Sequence, residues 1–427
     1  MAEISPFPGM RYNQNKIADL SSVICPPYDV ISPEEQQAYY QRSEYNIIRL
    51  EHGMVLPEDD ETSNKHIRAR ATFHRWIAEN ILQADPVPSF YIHEQTFTYQ
   101  NTRKKRRGLM ACLRLEPWER KIVFPHESTA HGIKSDRLQL MRACAANFSP
   151  LLAIYEDPGF KVGKLLDERT NRRPVIDIDE TGDEHKLWIA NEPEFVQRIS
   201  HFMASRPVYI ADGHHRYETA LAYRDERLKA NPSAHSESAF NFVMVTLVSF
   251  NDPGLIALPV HRLVRGVSPK AMTALKRHLE SFFDMSSLPI GKIDVPQAYG
   301  AISAVLGLEP DKMVLLKLRD PAAINKAMPP GHSAEYYKLD VSLIQHLIID
   351  SLYLPEGSSK IAYTPDIDYA KQCVQSGDFD LAFLLSPIPV KTIKTIADSD
   401  DKMPGKSTFF YPKLPTGLVI NRLDGRL

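Results

Sequence analysis

The chain has 427 residues, of which 43% are hydrophobic, and 51 basic residues nearly balance 53 acidic ones. That length allows two or three domains, and that apolar fraction supports a sizeable core. A net charge of -2 supplies no global field for nucleic acid or acidic membranes, so no nucleic-acid partner is expected.

The N-terminal residues carry no basic region followed by an apolar run, and no stretch of 18 apolar residues occurs. The expectation is a cytoplasmic protein without a membrane span. Cys25, Cys112, Cys144 and Cys373 lie far apart with no zinc spacing, which reads as four reduced, mostly buried thiols.

The first 60 residues are turn-rich. In "PPYDVIS" and the following "NIIRLEHG", Tyr28, Asp29, Asn46 and Arg49 form a polar set that either lines a site or holds turns. Ser32 before Pro33 and Glu34 marks a helix start. Residues 63–84 read as an amphipathic helix with Ile67, Phe73, Trp76, Ile77 and Ile81 on or near one stripe. Two strand-like runs follow, "SFYIHEQTFTY" and "RRGLMACLRLE". The basic run Arg103 to Arg107 falls at their junction and reads as a solvated turn rather than a nucleic-acid patch.

"KIVFPHE" reads as a strand running into a loop, and a helix with Leu138, Met141, Ala145 and Phe148 at helical spacing follows. His126, Glu127, Thr129, Lys134, Asp136 and Arg137 would stand at this strand end and helix start, a usual place for sites. A glutamate there could serve as general base towards a hydroxyl; a solvated loop with local ion pairs is the plainer alternative. "PLLAIY", "RPVYIA" and "FNFVMVTLVSF" are further strand candidates.

"RPVYIADGHHRYETA" carries the densest chemistry. An apolar strand, a turn at Gly213 and a helical pattern place Asp212, His214, His215 and Arg216 at a helix N-terminus. Such an end exposes unpaired N–H groups and partial positive charge, so it receives anions. Glycine allows close backbone approach, and arginine grips phosphate with a bidentate fork. Cationic groups here oppose the helix dipole, a local conflict that points to function. The plain alternative is an Asp212 cap with solvated histidines. Neighbouring helical residues point about 100° apart, which argues against a zinc ion shared by His214 and His215. "HESTAH" misses the zinc-protease spacing, because its second histidine comes five residues on rather than four. No resident metal ligand is therefore assigned; magnesium would come with substrate phosphates.

Beyond residue 262, helix-like and strand-like segments alternate. The expected organisation is an N-terminal α+β domain over 1–265, carrying the PHEST and DGHHR motifs, and a C-terminal α/β domain over 266–427. "GKST" within "KMPGKSTFFYPKL" is not a P-loop. Position 400 is Asp400 rather than glycine, and "TFFYPKL" reads as a strand. Lys406 and Ser407 remain candidates to reach a phosphate.

Four ordered stretches, "PPYDVIS", "PHEST…KSDRLQL", "ADGHHRYETA" and "KMPGKSTFFYPKLPTGLV", resemble the signatures of the domain-of-unknown-function 1015 family. "DGHHR" resembles the phosphate-binding motif of the ParB/sulfiredoxin-like superfamily, which includes nucleotide-dependent free-serine kinases. The resemblance implies a mixed α/β or α+β fold with a ParB/sulfiredoxin-like nucleotide-binding core, ATP or ADP with Mg2+ as cofactors, and phosphates held by Asp212, Gly213, His214, His215 and Arg216. In those kinases a glutamate on an earlier segment is the base, and Glu127 is the candidate by chemistry and order. His126, Thr129, Lys134, Arg137, Lys406 and Ser407 complete the expected phosphate or nucleotide contacts. The function expected is a phosphotransferase acting on a small hydroxyl metabolite, with free serine the best guess. A non-catalytic nucleotide-binding switch and a metal-dependent phosphate-ester hydrolase are the alternatives.

Overall fold

A computed structural model describes the chain apart from residues 129–131, 291–295, 297–299, 321–326 and 353–359; for 132–134 only the backbone is described. It divides into two compact units. One comprises residues 1–125, 129–256 and 412–427, and the other residues 126–128 and 257–411.

The first unit is built on a nine-stranded mixed sheet. Its strands are β1 (Ile4–Ser5), β2 (Phe90–Tyr99), β3 (Thr102–Arg114), β4 (Val123–Phe124), β5 (Leu151–Tyr155), β6 (Ile176–Glu180), β7 (Asp183–Ala190), β8 (Val208–Asp212) and β9 (Phe242–Ser249). They run in the order β4-β8-β5-β9-β3-β2-β7-β6, with β1 beside β3. β4 with β8 and β5 with β9 are parallel pairs, and the other neighbours are antiparallel.

Strand residues alternate between faces, and both faces of this sheet are covered. Phe90, Ile92, Leu109, Ala111, Val243 and Val245 enter one core, while Tyr91, Met110, Cys112, Phe242 and Met244 enter the other. That double burial explains why "FVMVTLVS" is buried at every position. All four cysteines are buried and free.

The Ser32 expectation holds. Its hydroxyl accepts from Glu35 N and the Glu35 carboxylate accepts from Ser32 N, a capping box that starts the helix Pro33–Arg42. The expected 63–84 helix is shorter, Lys65–Ala78, and Asn64 caps it.

The basic run Arg103 to Arg107 is strand, not turn. The turn falls at Gln100 and Asn101, both with positive φ (47° and 59°), as a two-residue hairpin of matching twist requires. Alternate basic side chains then meet acids across the sheet: Arg107 reaches Glu94 at 2.6 Å and Lys105 reaches it at 3.0 Å. Arg106 points to the other face, where it is 2% exposed and donates to Gln95 Oε1 and Pro412 O.

The second unit holds a six-stranded sheet of β10 (His261–Val264), β11 (Phe283–Pro289), β12 (Ser303–Leu306), β13 (Lys312–Leu318), β14 (Ile361–Thr364) and β15 (Leu381–Leu384), ordered β11-β13-β12-β15-β10-β14. Every pair in it is antiparallel, which corrects the expected α/β character to α+β. Alternation of helix and strand fixes which element follows which, but not the direction in which a strand re-enters the sheet. Leu263, Leu306, Leu315 and Leu384 anchor its core. Among the described residues, no helix is long and apolar enough to cross a membrane.

Candidate functional site

In the first unit, β8 ends at Asp212 and the helix His214–Ala230 begins two residues later. Gly213, at φ 93°, makes the turn in a conformation that side chains disfavour. It is itself the helix N-cap, so the alternative of an Asp212 cap fails. The Asp212 carboxylate instead lies between two cations: Arg216 Nη2 donates to Oδ2 at 2.6 Å, and Lys413 Nζ donates to Oδ1. Burial alone would raise this carboxyl, but Lys413 and Arg216 outweigh it and hold the group well below the usual carboxylate range.

Arg216 is fixed at a second point, through Nη1 to Pro150 O at 2.6 Å. His214 is buried and precedes His215 on the first helical turn. With Gly213, these groups assemble a cationic helix start around one deeply acidic carboxylate.

Next to Arg216, within the same unit, lies a cavity of ≈ 40 Å³ whose lining includes Glu51, Arg137, Ser149, Leu151, Arg216 and Thr219. Glu51 is 3% exposed, and Ser149 Oγ donates to its Oε1 at 3.0 Å. Burial raises the Glu51 carboxyl, against the opposing pull of Arg137 and Arg216. Arg137 donates to Glu51 O at 2.6 Å, forks onto Asp136 and lies over the Tyr28 ring at 4.2 Å. Asp136 also takes His66 and Lys65; burial would raise its carboxyl, but the hydrogen bonds from His66 and Lys65 and the charge of Arg137 override it and hold the group far below the usual range.

Of the sequence candidates, Tyr28, Arg137, Asp212, Gly213, His214, His215 and Arg216 belong to this unit, and Arg137 and Arg216 line one cavity. Asp29 acts on Arg216 through its charge. Asn46 and Arg49 are used structurally. The Asn46 amide donates to Ser22 O and Ile24 O, and its carbonyl accepts Ile48 N. Arg49 donates to Tyr40 O and lies over the Tyr40 ring at 4.3 Å. Thr129 lies outside the described residues, as does the Lys134 side chain.

His126, Glu127, Lys406 and Ser407 belong to the second unit. There the Glu127 carboxylate accepts from Ser407 N at 3.0 Å, Thr408 N at 2.8 Å, Thr408 Oγ1 at 2.9 Å and Lys406 N at 3.1 Å. Three of these donors converge on Oε1 and one, Lys406 N, on Oε2. Lys406 adopts a positive φ of 61°, so successive N–H groups converge as in an anion-binding nest. The loop that sequence assigned to a phosphate thus holds the chain's own glutamate. His126 sits behind it, fully buried, 2.9 Å from Thr408 Oγ1.

Glu51, Ser149, Thr219 and Lys413 were missed by sequence. A glutamate amid apolar neighbours in "NIIRLEHG" is the one local signal among them. Among the described residues no group of three or more His, Cys, Asp or Glu side chains stands together as a metal site.

No curated protein matches the chain. Solved structures with a partial likeness include a conserved hypothetical protein from Pyrococcus furiosus, 12% identical, covering 70% of this chain and 92% of that one at a TM-score of 0.35. A free serine kinase in complex with AMP is 11% identical, covering 70% and 89% at a TM-score of 0.35. SbnI with a C-terminal truncation, from Staphylococcus aureus, is 10% identical, covering 74% and 87% at a TM-score of 0.32. At such TM-scores the likeness is slight. A family model described as a protein of unknown function, DUF1015, matches residues 4–342, a span that holds the PPYDVIS, PHEST and DGHHR stretches and stops short of GKST. The chain belongs to the DUF1015 family.

Proposed function

We propose that the first unit binds a nucleotide through its phosphates at the Asp212–Arg216 turn and transfers a phosphoryl group to a small hydroxyl compound, free serine being the best single guess. One observation carries this reading: a helix of 17 residues begins on a glycine N-cap, which has no side chain to offer, with two histidines and an arginine in its first turn, beside a carboxylate already balanced by Arg216 and Lys413. Cations at a helix start repel the dipole unless an anion joins them. A polyphosphate supplies that charge, and phosphoryl transfer depends mainly on positioning and charge neutralisation. In this reading the unit is a nucleotide-binding core of the ParB/sulfiredoxin-like kind. His214, His215 and Arg216 neutralise the transferring group. Mg2+ would arrive with the phosphates, and Asp212 would help to orient it or the acceptor.

A non-catalytic nucleotide switch is the second reading, favoured by the four donors from residues 406–408 that already hold the Glu127 carboxylate. Phosphorus NMR with ATP or ADP, Mg2+ and a panel of alcohols including serine separates the two. Transfer predicts a phosphomonoester that Arg216→Ala and Asp212→Asn abolish. Nucleotide binding without any consumption on the whole panel selects the switch, and no binding sinks both.

A further inference from the structure

We infer that the cavity beside Arg216 is the acceptor pocket, that it takes the hydroxyl end of a small primary alcohol, and that Glu51 is the base that deprotonates it. The assignment of Glu51 rests on the phosphotransfer reading above; the pocket itself does not.

Three features point to a ligand. The cavity, at ≈ 40 Å³, has room for about three water molecules, the scale of a hydroxymethyl group with one substituent. Its walls differ: Glu51, Arg137, Ser149 and Arg216 supply charge and polarity, while Leu140, Met141, Leu151 and Val243 supply hydrocarbon. A hydroxyl on a short carbon stem matches both walls, whereas an apolar group would strand the charges.

The third feature is Thr219, which also lines the cavity. It is 1% exposed, and its hydroxyl has no hydrogen-bond partner among the described residues. A buried hydroxyl left unpaired is costly, so a guest that bonds to it gains affinity.

The Glu51 carboxylate is paired with Arg137 by charge but not by a hydrogen bond. Ser149 fixes one of its oxygens, and Arg137 Nη1 stands 3.7 Å from that same oxygen, beyond hydrogen-bond length. Burial lifts the carboxyl above its ordinary value, which strengthens it as a base near neutrality. Glu51 also shares the cavity with Arg216.

In the step, Glu51 takes the hydroxyl proton and the alkoxide oxygen bonds to the terminal phosphorus of the nucleotide. The bond between that phosphorus and its bridging oxygen breaks, and the shortened nucleotide leaves with the electron pair. The proton passes from Glu51 to solvent.

The test uses the full chain. Saturation-transfer NMR with serine, glycerol and ethanolamine, without nucleotide, reads the pocket, and nucleotide titration and turnover are measured on the same samples. We expect at least one alcohol to bind the wild type. Thr219→Met, which fills the cavity, should weaken that binding tenfold or more at unchanged nucleotide affinity. Thr219→Val, which keeps the shape, should weaken it severalfold. Glu51→Gln should retain alcohol and nucleotide binding but lose turnover by about a hundredfold or more, with the acidic limb of the pH profile, and Glu51→Asp should restore part of it. Failure of every alcohol to bind, or equal binding by wild type and both Thr219 variants, overturns the pocket whatever the nucleotide does. Full turnover by Glu51→Gln overturns the base. Alcohol binding that responds to Thr219 while no nucleotide is consumed supports the pocket and sinks phosphotransfer.

Discussion

Replacing Gly213 by alanine tests how the motif is held. Two costs follow. Alanine in the left-handed region that Gly213 occupies costs about 1–2 kcal/mol. The added Cβ would also lie 2.7 Å from Leu151 Cδ2, 2.9 Å from Arg216 Nε and 3.0 Å from Arg216 Nη2. Leu151 is fully buried, and pushing it off its rotamer costs about 0.5–1.5 kcal/mol. Arg216 is pinned at Pro150 O and Asp212, and losing one charged hydrogen bond costs about 1.5–3 kcal/mol.

Gly182→Ala isolates the second cost, because Gly182 has a similar φ of 95° in the same unit and a Cβ there meets nothing within 4 Å. Its φ penalty and its effect on unfolded-chain entropy match those at 213 and cancel. Gly213→Ala should therefore be less stable than Gly182→Ala by about 2–4.5 kcal/mol. The assay is urea unfolding followed by tryptophan fluorescence. All three tryptophans, Trp76, Trp118 and Trp188, lie in the first unit, so the signal reports that unit alone. Equal midpoints for the two variants would refute the claim that the turn is packed against Leu151 and Arg216.

Glu127→Gln should loosen the loop it clamps, since an amide NH2 cannot accept and at least one of Lys406, Ser407 and Thr408 N loses its partner, at about 1–3 kcal/mol. Trypsin should then cut after the exposed Lys406 faster than in wild type, and an unchanged rate would falsify the clamp. Two opposed titrations act on the stability of the first unit between pH 4.5 and 6.5. Burial, with Arg106 nearby, lowers His185 to about 4, so its contribution is lost as pH falls from the unfolded value of about 6.5 towards 4. Burial, against the pull of Arg42, raises Glu180 to about 7, so its contribution is present below about pH 4.3 and lost as pH rises through 7. Each is worth up to about 3 kcal/mol across that window. Glu180→Gln should expose a stability that climbs with pH, and His185→Gln one that declines, both read by tryptophan fluorescence. Parallel profiles for the two variants would contradict the assignment.

Local patterns made the strand–glycine–helix of the motif legible, because a buried strand, a positive-φ glycine and a helix each leave a short-range mark in "VYIADGHHRYETALAY". The strand after GKST was legible for the same reason. The direction of the strands in the second unit was not, since periodicity carries no sense of direction. The basic run misled because cationic side chains on a strand look like a solvated turn until Glu94 is placed opposite them. The partners of Glu127 were not legible either. Its chemistry suits a base, but its partners lie 279 to 281 residues away, where no local signal reaches. Glu51 went unremarked two residues after Arg49, which with Asn46 drew attention by polarity; both of those side chains bond to backbone.

The contact between Lys413 and Asp212 spans 201 residues of chain. During synthesis, β8 and the helix after it emerge long before Lys413 does. Until then Asp212 has Arg216 but not its second cation. The turn at Asp212 is therefore completed only after the second unit has been made, and Lys413 ties the 412–427 segment back to the middle of the first unit.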